Sequence, residues 1–173
     1  GCQSHGVEAE IVTLGKPIGS GLALGAVITT PEILGSFTEK TGYFSTFGGN
    51  PVACAAGSAV LDVIEGEELL KNAVETGDYL RQGLRSLAQR HPMIGDVRGS
   101  GMIAGVELVL DRATQEPARE ATKQVVNGLK DKGVLVGREG YHRNVLKIRP
   151  PMVFNPDNAD TLIKALDEVI SAF

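Results

Sequence analysis

Glycine contributes 22 of the 173 residues, about twice the usual share of roughly 7%. These glycines gather at 15–25, 42–49, 95–105 and 133–140, between stretches of periodic hydrophobicity. Clustered glycine in such places serves special turns, or backbone that comes close to a neighbour or ligand, and it does not describe a flexible linker. The chain must therefore fold as short ordered elements joined by tight, conformationally demanding loops.

The periodic stretches supply those elements. Residues 10–14 (EIVTL) and 26–30 (AVITT) read as short buried strands on either side of the first glycine cluster. Asn50-Pro51 is a helix start, a capping side chain followed by proline at the first helical position. The spacing predicts a helix to about Ile64, with Val52, Ala56, Ala59, Val60 and Val63 on one side. Its first half, Ala53 to Gly57, is built of small residues and is expected to pack closely against a neighbour, with Cys54 as inert packing. A second helix is expected from Glu67 to Arg90, ended by His91-Pro92. Beyond it come a strand at 102–110, a helix from Pro117 to Gly133, strands at 134–137 and 145–149, and a last helix begun by Asn155-Pro156-Asp157. This alternation describes a small two-layer α/β domain over residues 67–173. Residues 1–66 hold only two strands and one helix, too little to cover their own faces. They are expected to be part of a larger α/β domain.

Composition excludes several classes. The formal charge of −4 gives no basic field to gather nucleic acid or an anionic membrane. No apolar run approaches the roughly 20 residues that span a bilayer. Two cysteines are too few for a disulfide framework, and with no leader segment evident they suit a reducing cytoplasm. No metal-ligand spacing is present.

Three places carry candidate chemistry. Lys16 lies just beyond the first strand, in Leu14-Gly15-Lys16-Pro17-Ile18-Gly19, where open α/β sheets bind their ligands. A solvated turn lysine is one reading. A nucleotide phosphate loop is another, but it needs its glycines before the lysine and Ser or Thr after it, where Pro17 stands. The third is a Schiff base to a carbonyl, which asks for an amine whose pKa is lowered by burial or a nearby cation. Thr46-Phe47-Gly48-Gly49-Asn50-Pro51 offers a hydroxyl, glycine amides and a helix N-terminus, suited either to an oxyanion or simply to a capped turn. In Val145 to Pro151, alternation puts Lys147 and Arg149 on one strand face, as an anion clamp or as a solvated outer surface. Arg98, before the strand at 102–110, is expected in a structural ion pair.

The run IVTLGKPIGSGLALGAVITT from Ile11 to Thr30, together with TFGGNP from Thr46, resembles the class III aminotransferases, fold-type-I enzymes that use pyridoxal 5'-phosphate. The resemblance covers essentially the whole chain and matches about the last two-fifths of the family. It implies that residues 1–66 are the C-terminal part of the cofactor-binding large domain and 67–173 the small C-terminal domain. It further implies that Lys16 carries the cofactor and transfers protons. Thr46 would donate to the cofactor phosphate of a neighbouring subunit in a homodimer. The family's substrate-carboxylate arginine falls at Lys147, so this chain departs there or uses Arg149. A second departure is Ala23, where the family usually has proline. The string YHRNVLKIRPPMVF from Tyr141 is similar to the phospho-lyases of phosphoethanolamine and phosphohydroxylysine. The implied activity is amino transfer between an amine or amino acid and a keto acid or aldehyde, weak or absent in this piece by itself. Phosphate elimination and a non-catalytic, dimerising fragment are the alternatives.

Overall fold

A computed structural model describes residues 2–173; Gly1, first residue of the expected first domain, lies outside them. The chain divides into two compact units, Gly1–Glu67 and Glu68–Phe173.

In the first unit, β1 (Ile11–Leu14) pairs antiparallel with β2 (Ala26–Thr29), Leu14 opposite Ala26. Between them a 3₁₀ turn spans Lys16–Gly19. Helices α1 (Pro31–Lys40) and α2 (Pro51–Gly66) follow. The strands are not buried as expected: Ile11, Val27 and Ile28 are 55%, 65% and 58% exposed. Two strands and two short helices cannot cover both faces of a hairpin.

Helix α1 lies where the hydrophobic spacing predicts no helix, since its only large apolar residues are Ile33, Leu34 and Phe37, and none of its residues is fully buried. Its start is nonetheless written in Thr30, whose hydroxyl accepts from the Ile33 amide, and Pro31 at the first helical position. Helix α2 begins where Asn50 predicts, with the Asn50 carboxamide oxygen accepting from the Ala53 amide at 3.0 Å. Its inward face is Ala53, Ala56, Gly57, Val60 and Ile64, rotated from the expected side, so Val52 and Val63 are exposed. Small residues win the inward face because the neighbour is close. A Cβ on Gly57 would stand 2.6 Å from Cδ2 of Leu24. Cys54 falls on the outer face and is exposed, not packed as expected.

The second unit is a two-layer sandwich. Helix α3 (Leu69–Arg90) leads into β3 (Ile94–Ser100), β4 (Ile103–Asp111), the two-residue β5 (Glu116–Pro117) and α4 (Arg119–Asp131). Strands β6 (Gly137–Glu139) and β7 (Val145–Ile148) and helix α5 (Pro156–Ile170) complete it. The sheet runs β3-β4-β7-β6, antiparallel throughout, with β5 on β4. Leu80, Leu84 and Leu87 of α3, Val125 and Leu129 of α4, and Leu162 and Leu166 of α5 close over Val106, Leu108, Leu146 and Ile148. Strand β3 was missed because Gly95 and Gly99 interrupt its alternation. Helix α4 starts two residues later than Pro117 suggested, since Pro117 is paired to Val109 in the sheet. The strand expected at 134–137 is instead Gly137–Glu139.

Candidate functional site

The first glycine cluster shapes the turn that carries Lys16. Gly15 is fully extended (φ −166°, ψ −167°), and Lys16 then takes the left-handed region at φ 54°, uncommon for a residue with a Cβ. The turn is closed by amide donation from Ile18 to the Gly15 carbonyl, Ser20 to Pro17 and Leu22 to Gly19. Leu24 wedges it from behind. Its side chain meets Gly57 of α2, and a Cβ on the buried Gly19 would stand 3.0 Å from Leu24 Cβ. The small-residue helix therefore backs the lysine turn. Lys16 itself is exposed, so its own unit does not bury it. Strained backbone held in place by packing is a feature of functional positions.

The second cluster ends at the α2 N-terminus. The Gly48 amide donates to Ser45 Oγ at 3.0 Å and the Asn50 amide to the Phe47 carbonyl at 3.3 Å. Gly49 takes φ 70°. No hydrogen bond among the described residues engages the exposed Thr46 hydroxyl. An amine on a strained turn suits an aldehyde cofactor, and a hydroxyl beside a helix N-terminus suits a phosphate. The donor set in this unit thus fits pyridoxal phosphate.

In the second unit, Leu146 and Ile148 are buried and Lys147, between them on β7, is half-buried, while Arg149 lies one residue past the end of the strand and is exposed. The two cations then differ. Register places Lys147 opposite Gly137 and Gly105, and its ammonium pairs with Glu139 on β6 at 2.9 Å. That pairing, first of all, holds the Glu139 carboxyl below its ordinary range. Arg149 has no ion pair among the described residues. It lines an open cleft of about 460 Å³ with Val136, Phe154, Asn158, Thr161 and Leu162. Arg98 forms the expected structural pairs, to Asp96 at 2.6 Å and Glu107 at 2.7 Å. Asn72 leaves no local signal in the sequence, because the carbonyls it donates to lie 80 and 82 residues away; Thr76 matters only through Asn72, one helical turn before it.

Among the described residues no cluster of His, Cys, Asp or Glu is gathered to hold a metal. No helix among them is long and apolar enough to cross a membrane.

Comparison with known proteins gives a consistent result. The family model described as aminotransferase class-III matches residues 1–170. The chain is 49% identical over 171 residues to an alanine–glyoxylate aminotransferase 2 homolog, mitochondrial, of Arabidopsis thaliana, covering 99% of this chain and 36% of that protein. A phospholyase from Arthrobacter in complex with phosphoethanolamine superposes with a TM-score of 0.94 at 42% identity, over 99% of this chain and 40% of that one. An amine transaminase from an uncultivated Pseudomonas species, in its PLP-bound form, gives 0.86 at 30% identity over 99% and 40%. The chain thus spans well under half the length of these relatives. Its fold is that of the corresponding part of fold-type-I pyridoxal-phosphate transferases.

Proposed function

The chain belongs to the class III aminotransferases, enzymes whose cofactor is pyridoxal phosphate, and from that premise we propose that Lys16 is the residue that holds the cofactor and moves protons. The unit ending at Glu67 then belongs to the cofactor-binding domain, and the unit from Glu68 is the small C-terminal domain. The carrying observation is the Lys16 turn: a primary amine at the end of β1, in left-handed backbone, backed by Leu24 against Gly57.

When bound, pyridoxal phosphate supplies an electron sink for the substrate carbon that bears the amine. Lys16 Nζ takes and returns the proton at that carbon. Thr46 donates its hydroxyl to a phosphate oxygen in the partner of a homodimer, where the α2 N-terminus adds its dipole. Arg149 takes the substrate's carboxylate or phosphate as a bidentate fork, and Lys147, shared with Glu139, adds positive field to the same strand face. The reaction is amino transfer between an amine or amino acid and a keto acid or aldehyde. Because the chain spans 36% of its aminotransferase relative, we assign it weak or no turnover by itself. Free Cys2 and Cys54 suit a reducing, cytoplasmic setting.

The test is spectroscopic. The chain mixed with pyridoxal phosphate is expected to absorb in the near-visible and to be trapped by borohydride on one peptide. Lys16→Ala should abolish both, and unchanged trapping would mean that another lysine does the work. A chain that dimerises but never takes up the cofactor would favour the non-catalytic reading.

Phosphate elimination is the second reading, favoured by the 0.94 TM-score to the phospholyase and by Arg149, which has no ion pair among the described residues. Release of inorganic phosphate from phosphoethanolamine, without keto-acid-dependent amino transfer, would select it.

A further inference from the structure

Arg149 sits one residue past the end of β7, on a connection that must be held still if its guanidinium is to meet an anion in one geometry. The two ends of that connection are fixed. Ile148 is 2% exposed in the core, and Asn155 caps α5 in a reciprocal capping box with Asn158. Between them the chain turns at 151–154, where the Phe154 amide donates to the Pro151 carbonyl at 3.0 Å. Among the described residues no backbone amide donates to the carbonyls of Met152 and Phe154.

Both carbonyls are taken by a single side chain. Asn72 of α3 donates Nδ2 to Met152 O at 2.7 Å and to Phe154 O at 3.0 Å. The other end of the carboxamide is also fixed: Thr76, one helical turn on and 3% exposed, donates its hydroxyl to Asn72 Oδ1 at 2.8 Å. The Thr76 hydroxyl decides which way round the Asn72 amide lies. Only that orientation aims both N–H donors at the turn. Other groups on this side of α3 are differently occupied; Tyr79, for example, donates to Asp160 of α5.

We propose that Asn72, oriented by Thr76, is the positioning residue for Arg149: it fixes the 151–154 turn and so the backbone path on which Arg149 joins Phe154 and Asn158 at the cleft. The inference rests on the reading of Arg149 as the anion-binding residue. Asn72 touches no substrate. Its effect is on how often Arg149 stands ready.

The experiment uses the full chain, with inorganic phosphate and acetate as probes, followed by the NMR shift of the Arg149 side-chain N–H. Wild type is expected to titrate, and Arg149→Gln to lose the site. Thr76→Val, nearly isosteric, should weaken the fitted affinity roughly threefold to tenfold, the equivalent of one net hydrogen bond. Amide exchange across 151–154 should quicken with it. Thr76→Ser should restore both, and Asn72→Asp, which lacks the donors, should reproduce the loss. If wild type and Arg149→Gln behave as stated but Thr76→Val and Asn72→Asp bind like wild type, even at lowered thermal stability, Asn72 is merely structural and the inference is overturned. If wild type shows no titration at Arg149, the reading of Arg149 fails first and takes the inference with it.

Discussion

Gly77 of α3 lies directly against the carbonyl of Gly101 in the turn between β3 and β4, with no room for a Cβ between them. The same carbonyl accepts from Arg81, whose guanidinium is buried and also paired to Asp78. Helix and hairpin turn therefore meet backbone to backbone, with an arginine closing the joint. Gly101 takes φ 52°, the left-handed backbone that glycine supplies to a tight turn without steric cost. Gly77→Ala is expected to destabilise the second unit by about 1–3 kcal/mol, the usual cost of overpacking. A urea midpoint equal to wild type would show that the joint can open.

Arg112 ties together the C-terminal end of α3 and the start of β3. Its Nη2 lies within hydrogen-bond reach of the carbonyls of Ala88, His91 and Ile94, at 2.6, 3.1 and 2.7 Å. A cation there also favours the helix C-terminus. Arg112→Met keeps much of the stem and removes the donors, so we expect a loss of about 1–3 kcal/mol. Chemical denaturation of the pair of proteins measures it.

Asp167 of α5 receives His91 at 2.6 Å and Arg90 at 3.0 Å, both from the end of α3. The His91 hydrogen bond, ahead of Arg90, holds its carboxyl below the ordinary value. A carboxyl depressed in the folded state stabilises above its unfolded value of about 3.9 and loses that contribution as pH falls through the folded one. Asp167→Asn should accordingly be less stable than wild type at pH 6. The gap should narrow steadily below about pH 4. Equal differences at both pH values would contradict the linkage.

If Thr46 serves the neighbouring subunit, two defective chains can complement one another. Lys16→Ala and Thr46→Ala chains, each alone, should take up pyridoxal phosphate poorly. In a mixed dimer one site combines both defects and the other has neither. Mixing should therefore restore cofactor absorption at up to half the sites of the mixed dimers. Absence of any recovery, with mixed dimers verified by mass, would place Thr46 in its own chain's site.

Gly57 backs the lysine turn through Leu24. Gly57→Val should push Leu24 outward and reduce borohydride-trapped cofactor on Lys16, with smaller loss in Gly57→Ala. Peptide mapping after trapping measures this directly, and equal yields in all three proteins would remove α2 from the support of Lys16.

Much of the architecture is legible in the sequence, because it is written locally. Asn50-Pro51 and Asn155-Pro156 start their helices through side chains that reach only three residues along. Leu80, Leu84 and Leu87 place a stripe, and Leu146 and Ile148 an alternation, that any window of a few residues contains. Lys16 and Thr46 are legible for the same reason, the first directly after Gly15 and the second two residues before Gly48-Gly49. Helix α1 is hard to read because Ile33, Leu34 and Phe37 are its only large apolar residues, and β3 because glycines break its pattern.

The remaining decisions belong to the tertiary structure. Lys147 and Arg149 are equivalent by alternation, and only the register of β6 against β7 gives Glu139 to the first and leaves the second facing a cleft. The inward side of α2 was chosen by the closeness of Leu24 to Gly57, not by hydrophobicity. Asn72 acquired its two acceptors from residues 80 and 82 positions away. Capping and periodicity act over one helical turn or one strand pleat and can be read from neighbours in the chain. Ion pairing, close backbone contact and shared carbonyls depend on which distant segments the packed core brings face to face.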